Sequence, residues 1–520
     1  MKVLLITGSL AEDTVKRYAQ KSNVETEIRA LKVSVAALLT PEHIAKALEN
    51  TKGDNLDMIL VPGLIRGDVS VISDTVGTPA FKGPRYAADL PTVLDALGQV
   101  RLSTVTPACD ILREQLQQKA LQELAAVEKK RDVLLKNPGN ILIGGLAIGK
   151  DFPMRVMAEI VDAPLLAKEE IQRLAKHYVK AGADIVDVGM VAGKYRPLDA
   201  RRAVEAVKNV VNVPVSIDAL DPDEIREAVS AGADLVLSAD AGNIEMIAPF
   251  ASKVAVVVIP TNQREGYFPR KVEERVSLLE ENIKRARKLG ITKVIGDLVL
   301  EPANVFESLF AFRKFANKNP DVPLFLGVAN VTELLDADSV GINALLARLS
   351  SEIGASILLA TEKSDKAKGS TRELATASKM MFLAKKRGSV PKDLGIDLLV
   401  LKDKRKREEP YSEAMEAEAQ VITASGKTVA TILDKGGTFK ITVDRTEEKL
   451  IALHFTTLQA DSPINIIKGK TAEGVYAKIV EMGLITRLDH AAYLGTELAK
   501  AEIALKTGKD YIQDSPLFKK

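Results

Sequence analysis

Cysteine is nearly absent. Cys109 is the single one in 520 residues, which excludes an internal disulfide and any metal site built from several thiolates. A reducing compartment fits that usage. Excess charge of either sign is also missing: lysine and arginine total 72 against 70 aspartates and glutamates, a net charge of +2. No overall attraction to nucleic acid or to an acidic membrane surface is therefore expected, and any anionic ligand must be held locally. Long apolar runs are lacking as well. The opening MKVLLITGSL is too short to span a bilayer, carries no signal-peptide cleavage pattern, and reads as a β-strand turning at Gly8. These absences predict a cytoplasmic protein with no membrane and no nucleic-acid partner.

What the chain does contain is material for large cores. At 46% hydrophobic and 27% charged over 520 positions, two to four globular domains are expected. Residues 1–107 alternate KVLLITG, DTVKRYAQK, VETEIRAL, TPEHIAKALEN and LDMILVPGLI, the β-α-β-α-β order of a parallel sheet. Residues 108–138 read as a connecting helix, because DILREQLQQKALQELAAVEKKRDVLLK is amphipathic and free of Gly and Pro until NPGN stops it.

The pattern then becomes regular. Within residues 139–390 the short apolar runs ILIGGLAIG, DIVDVGM, VPVSIDA, DLVLSAD, VAVVVIP, KVIGDLVL, VPLFLGVAN and SILLATEK begin near positions 141, 184, 213, 234, 254, 293, 322 and 356. Helix-length amphipathic pieces separate most of them, and several end in Gly where the next run starts, a natural helix stop. Eight strand–helix units in this length predict a (β/α)₈ TIM barrel rather than a doubly wound open sheet. Residues 391–520 open with the charged run KDKRKREE, expected to be solvated. They continue as a small α/β module: TVATILDKGGTFKITVD with a Gly-Gly turn, then the helix patterns TAEGVYAKIVEMG and HAAYLGTELAKAEIALKTG.

In such a barrel the site forms at the carboxyl ends of the strands. Polar residues fall there repeatedly: Asp187, Asp218, Ser238, Asp240, Asn262, Gln263, Asp297, Asn330, Glu362 and Lys363. An aspartate after a strand also serves as the N-cap of the next helix. Asp218, Asp297 and Asn330 together point to a ligand, since carboxylates accept parallel N–H bonds and an asparagine both donates and accepts, a set suited to a flat nitrogen-rich heterocycle. After the eighth run, EKSDKAKGSTREL offers Lys363, Lys366, Lys368, Ser370 and Arg372 just ahead of a helix, as a phosphate-binding turn or equally as a plain surface run.

GADIVDVGM, VPVSID, GADLVLSAD, IGDLVLEP and FLGVANV resemble the pterin-binding barrel shared by dihydropteroate synthases and methyltetrahydrofolate:corrinoid methyltransferases. The whole chain is most similar to archaeal dihydropteroate synthase-related proteins, with their added amino- and carboxy-terminal domains. The resemblance implies that Asp218 and Asp297 hold the pterin's amino and ring N–H groups and that Asn330 faces the reactive edge. Asp187, Ser238, Asp240 and Asn262 complete the expected pterin-binding set.

It implies a transferase joining a dihydropterin methyl diphosphate to an arylamine, in tetrahydromethanopterin biosynthesis a ribofuranosylaminobenzene phosphate. The alternatives are a methyl-tetrahydropterin-dependent methyltransferase and a non-catalytic pterin-binding protein. The chain departs from the synthases in lacking an NVTPDSF-type loop, which helps bind diphosphate and its magnesium ion; GLAIGKDFPMRVMAEI stands in that region. Its seventh run reads GVANV, similar to the GLSNV of the methyltransferases. Against that second reading, none of His43, His177, His454 and His490 sits in the Asp-x-His-x-x-Gly pattern of a corrinoid partner.

The acids Glu333, Asp336 and Asp338 after Asn330 offer carboxylates to Mg²⁺ or cap the next helix. No nucleophile or dedicated metal set is legible. The expected partners are a pterin and a second small substrate, and a homodimer is compatible with the sequence without being encoded in it.

Overall fold

The computed structural model describes residues 1–49, 55–404, 420–424, 433–456 and 461–518. It divides into two compact units, one of Met1–Thr361 with Ser370–Gln420 and the other of Glu362–Gly369 with Val421–Lys520.

The first unit begins with β1 (Lys2–Gly8), β2 (Glu25–Leu31), β3 (Met58–Val61) and β4 (Ala80–Lys82), a parallel sheet in the order β2-β1-β3-β4. β1 is apolar at consecutive positions because both its faces are covered. Leu4 and Ile6 join one core with Ile59 and Val61, while Val3 and Leu5 join another with Leu60 and Val15. The helix Ala108–Lys129 follows, and its Glu123 pairs with Arg387 at 3.0 Å.

The barrel strands are β7 (Arg155–Ile160), β8 (Ile185–Gly189), β9 (Val215–Asp218), β10 (Leu235–Ala239), β11 (Ala255–Val258), β12 (Val294–Gly296), β13 (Phe325–Leu326) and β14 (Ile357–Ala360), all parallel. The sheet closes where Gly296 bridges Leu324 and its N–H donates to the Pro323 carbonyl at 2.9 Å. A helix follows each strand, from Lys168–Ala181 to Ser370–Arg387. Side chains on the outer face of the sheet, such as Val186, Ile217 and Val256, pack against these helices, while Met157, Ile185, Leu235 and Val257 fill the interior. This is the predicted (β/α)₈ barrel.

One strand assignment needs correction. ILIGGLAIG, read from the sequence as the first barrel strand, is an antiparallel hairpin of β5 (Ile141–Ile143) and β6 (Leu146–Ile148). Gly144 and Gly145 have φ of +52° and +87°, the pair of left-handed residues a tight two-residue turn requires. Gly144 fits against Pro214 and Asp234, which lead into β9 and β10. Ile143 and Ile148 therefore plug the amino end of the barrel interior. The true first strand, β7, is RVMAEI, and the segment after it is VDAPLL.

In the second unit β15 (Thr438–Asp444), β16 (Lys449–Phe455) and β17 (Asn465–Gly469) form an antiparallel meander. The alternating residues Phe439, Ile441, Leu450, Ala452 and Ile467 pack against helices Ala472–Glu481 and Leu488–Thr507 through Val475, Ile479, Leu494 and Leu498. Most of the KDKRKREE run, from residue 405 on, and the first five residues of the TVATILDKGGTFKITVD pattern, residues 428–432, lie outside the described residues. Among the described residues no helix is long and apolar enough to cross a membrane.

Candidate functional site at the barrel mouth

Strand register builds the site. Glu159 on β7 is the lateral partner of Asp187 on β8, and Gly189, two residues further along β8, is the partner of Asp218 on β9. Gly189 matters because it has no side chain: a Cβ there would lie 2.3 Å from Oε1 of Glu159. The glutamate lies over that space and reaches the level of Asp218. One carboxylate oxygen from each of Glu159, Asp187 and Asp218 falls within 4.8 Å of the others.

The two aspartates hold protons more tightly than an ordinary carboxylate. Asp187 is 0% exposed and neither of its oxygens has a hydrogen-bond partner. Burial, then the charges of Asp218 and Glu159, push its pKa well above the usual carboxylate range, and the neighbouring Ser216 hydroxyl and Val188 N–H, outside bonding geometry, oppose the rise only weakly. Burial lifts Asp218 to about 7. Asp297, just past β12, also reaches about 7 through burial, with the Asp218 charge adding to the rise and the Val299 N–H and Arg275 opposing it.

The loop carrying Asp297 is held by a residue with no distinguishing signal in the amino-acid sequence. Arg275, 1% exposed, donates to the carbonyls of Pro269 and Val299 and pairs with Glu301 at 2.6 Å. Val299 takes a left-handed φ of +61° and donates its N–H to Oδ1 of Asp297 at 2.8 Å. Asn330 stands in the short helix Ala329–Thr332 and donates through Nδ2 to the Leu300 carbonyl at 3.0 Å. Gly327 makes room for that amide, since a Cβ would sit 2.9 Å from Nδ2. Asp297 and Asn330 thus border one short loop, residues 297–300.

Other predicted residues carry loop structure instead. The carboxylate of Asp240 accepts from the Gly242 N–H, the Thr261 hydroxyl and the Gln263 N–H at 2.8, 2.8 and 2.6 Å, fastening two loops together. Asn243 accepts from the Asp240 N–H and donates to the carbonyls of Leu220 and Ser238, so Ser238 is buried beneath an amide clamp. Asn262 caps the turn at Gln263–Glu265. Glu333 accepts from the Thr361 hydroxyl at 2.9 Å. Asp338 holds the N-cap position of helix Ser339–Ile353 without a side-chain cap bond.

Of the expected phosphate residues, Lys363, Lys366, Lys368 and Arg372 are exposed and Ser370 is buried at the start of its helix. Lys368 donates to the Glu362 carbonyl at 2.9 Å. Sequence reasoning missed Glu159 because the hairpin took the place of β7; its signal was a lone acid closing RVMAEI.

Comparison with known proteins agrees with this architecture. The profile of a family described as pterin binding enzyme matches residues 163–358, that of a family of unknown function (DUF6513) matches residues 1–85, and that of PterinBD-DUF4346 matches residues 433–514. An uncharacterized protein of Methanocaldococcus jannaschii is 42% identical over 540 residues, covering 100% of this chain and 99% of its own. A Ycf91-like protein of Nostoc is 33% identical over 106 residues, covering 16% of this chain and 84% of its own. The dihydropteroate synthase of Xanthomonas albilineans, solved with 7,8-dihydropteroate, aligns at 20% identity and a TM-score of 0.39 over 48% of this chain and 99% of its own. The chain belongs to the same family as the M. jannaschii protein, and its barrel carries the match to the family described as pterin binding enzyme.

Proposed function

We propose that the barrel holds a dihydropterin edge-on between Asp218, Asp297 and Asn330 and joins its methyl diphosphate to an arylamine, as a step of tetrahydromethanopterin biosynthesis. The observation that carries this reading is a half-buried carboxyl, Asp218, closing the third strand and a buried one, Asp297, just past the sixth, with the Asp218 charge adding to the raised proton affinity of Asp297. Acids poised near pH 7 suit a ligand edge made of N–H donors. Each N–H bond accepted favours the ionised form, so a bound pterin draws the protons off and gains charge-assisted hydrogen bonds in exchange. Oδ1 of Asp297 is oriented by the Val299 N–H, which leaves Oδ2 for the ligand. Asn330 is anchored through Nδ2, and its Oδ1 remains for the ring edge.

In this reaction the bond from the exocyclic carbon to the diphosphate oxygen breaks, the amine nitrogen forms the new C–N bond and loses its proton, and diphosphate departs. Positive charge spreads onto the pterin as the C–O bond opens. Ionised Asp218 and Asp297 stabilise that charge more than they stabilise the neutral ground state, which is the condition for catalysis. A magnesium ion is the group expected to accompany the diphosphate. Asn330 in GVANV favours a second reading, methyl transfer from a methylated pterin, in which the amide hydrogen-bonds the nitrogen leaving group.

The test is to incubate the purified chain with dihydropterin methyl diphosphate and a panel of arylamines and to follow pyrophosphate. Release that depends on both substrates is the expected result. Tight pterin binding without turnover for any amine contradicts the synthase step and favours methyl transfer or binding alone.

A further inference from the structure

The carboxyl cluster at the carboxyl ends of the first three barrel strands is more acidic than a pterin edge needs. Asp297 and one oxygen of Asp218 suffice for a pair of N–H donors. Glu159 and Asp187 remain, and Asp187 is the sharper puzzle: its side chain is wholly buried, and neither oxygen meets a hydrogen-bond donor. Buried carboxylates are ordinarily paired with a cation or satisfied by N–H groups, because an unpaired charge in a dry interior is strongly unfavourable. Asp240, at the end of β10, meets that rule with three donors. Asp187 does not.

The geometry is directed as well as acidic. Three neighbouring strands each contribute one acid, and their oxygens converge within 4.8 Å. The convergence depends on Gly189, whose missing side chain leaves the volume that the Glu159 carboxyl enters. Three hard oxygen donors with no imidazole and no thiolate among them match the preference of Mg²⁺ or Mn²⁺ and not that of zinc or copper.

We propose that Glu159, Asp187 and Asp218 form a divalent-cation site of the Mg²⁺ or Mn²⁺ type, with Asp218 giving one oxygen to the cation and the other to the pterin. The site is assigned to carboxylates on strands, not to the loop after the first strand. It does not depend on which reaction the barrel performs. A cation there neutralises charge that converges from three strands, and it accounts for a buried carboxylate whose oxygens have no donor in bonding geometry.

The experiment uses the full chain stripped with a chelator and titrated with Mn²⁺ alone, followed by electron paramagnetic resonance and by calorimetry. One saturable Mn²⁺ per chain, displaced by Mg²⁺, is expected. Asp187→Asn and Glu159→Gln should each weaken it by about tenfold or more, the order of loss seen when metal-site groups are removed. Asp297→Asn should retain Mn²⁺ affinity while losing pterin affinity, and Glu159→Gln should do the reverse, so failure of the cation site and failure of the pterin reading are separable. Should Asp187→Asn fold poorly, Glu159→Gln carries the test. Absence of saturable Mn²⁺ binding into the millimolar range, or unchanged affinity in Glu159→Gln, overturns the proposal and leaves shared protons as the means of neutralisation.

Discussion

Two regions of the molecule bury carboxylates and treat them in opposite ways. Burial alone would raise the pKa of Asp434 in the carboxy-terminal unit. The hydroxyl and N–H of Thr486, the N–H of Gly436 and the ring of His490 outweigh it and hold that acid far below the usual carboxylate range. The Arg487 N–H adds a further bond at 3.1 Å, and His490 Nδ1 lies 3.0 Å away. At the barrel mouth, Asp187 has no donor in bonding geometry and Asp297 has one backbone N–H, and burial pushes both upward. Low solvent exposure is common to both places. Donors decide whether a buried acid is a structural part or a receptor, and the same physics predicts opposite responses to mutation.

The larger effect belongs to Asp434. Asp434→Asn replaces one of the two acceptor oxygens by an NH2 that faces donors, and should destabilise the carboxy-terminal unit by about 3 kcal/mol or more, read as an earlier urea transition. Its folded pKa is depressed, so its contribution is present above the ordinary carboxylate value of about 4 and is lost as pH falls toward the folded value. A variant as stable as the wild type would erase the contrast.

Asp187→Asn should act in the other direction. The raised acids let the folded metal-free protein keep protons that the unfolded chain has released. Their contribution is full below about pH 4 and is lost as pH rises through about 7, the value reached by Asp218 and Asp297. The variant should therefore melt higher than the wild type near neutral pH, by about 1 kcal/mol or more, with a shallower decline as pH rises. A wild-type melting temperature that climbs across the same range would contradict the assignment.

Much of the barrel was legible because its physics is local. β-Branched runs made the strands, amphipathic pieces made the helices, and glycines such as Gly182 and Gly354, with φ of +106° and +90°, stopped them. The first strand was misplaced because Ile141–Ile143 and Leu146–Ile148 carry a stronger apolar signal than RVMAEI, which bears Arg155 and Glu159. The paired glycines between them were the sign of a hairpin. Asp218, Asp297 and Asn330 were found as strand-end polar groups, and so was Asp240, which looks identical in sequence. What separates them is tertiary: Asp240 meets Thr261 and Gln263 from the next strand's loop, and Asp187 meets no donor. The role of Gly189 was equally hidden, since it depends on a neighbouring strand's register.

On the proposed function, donor-poor acids at the barrel mouth receive the pterin. Calorimetric titration of a dihydropterin into the wild type and into Asp297→Asn tests it most directly. A hydrogen bond to a charged group contributes about 1.5–3 kcal/mol, so a loss of affinity of about tenfold to a hundredfold is expected. Equal affinity in the two proteins would contradict it.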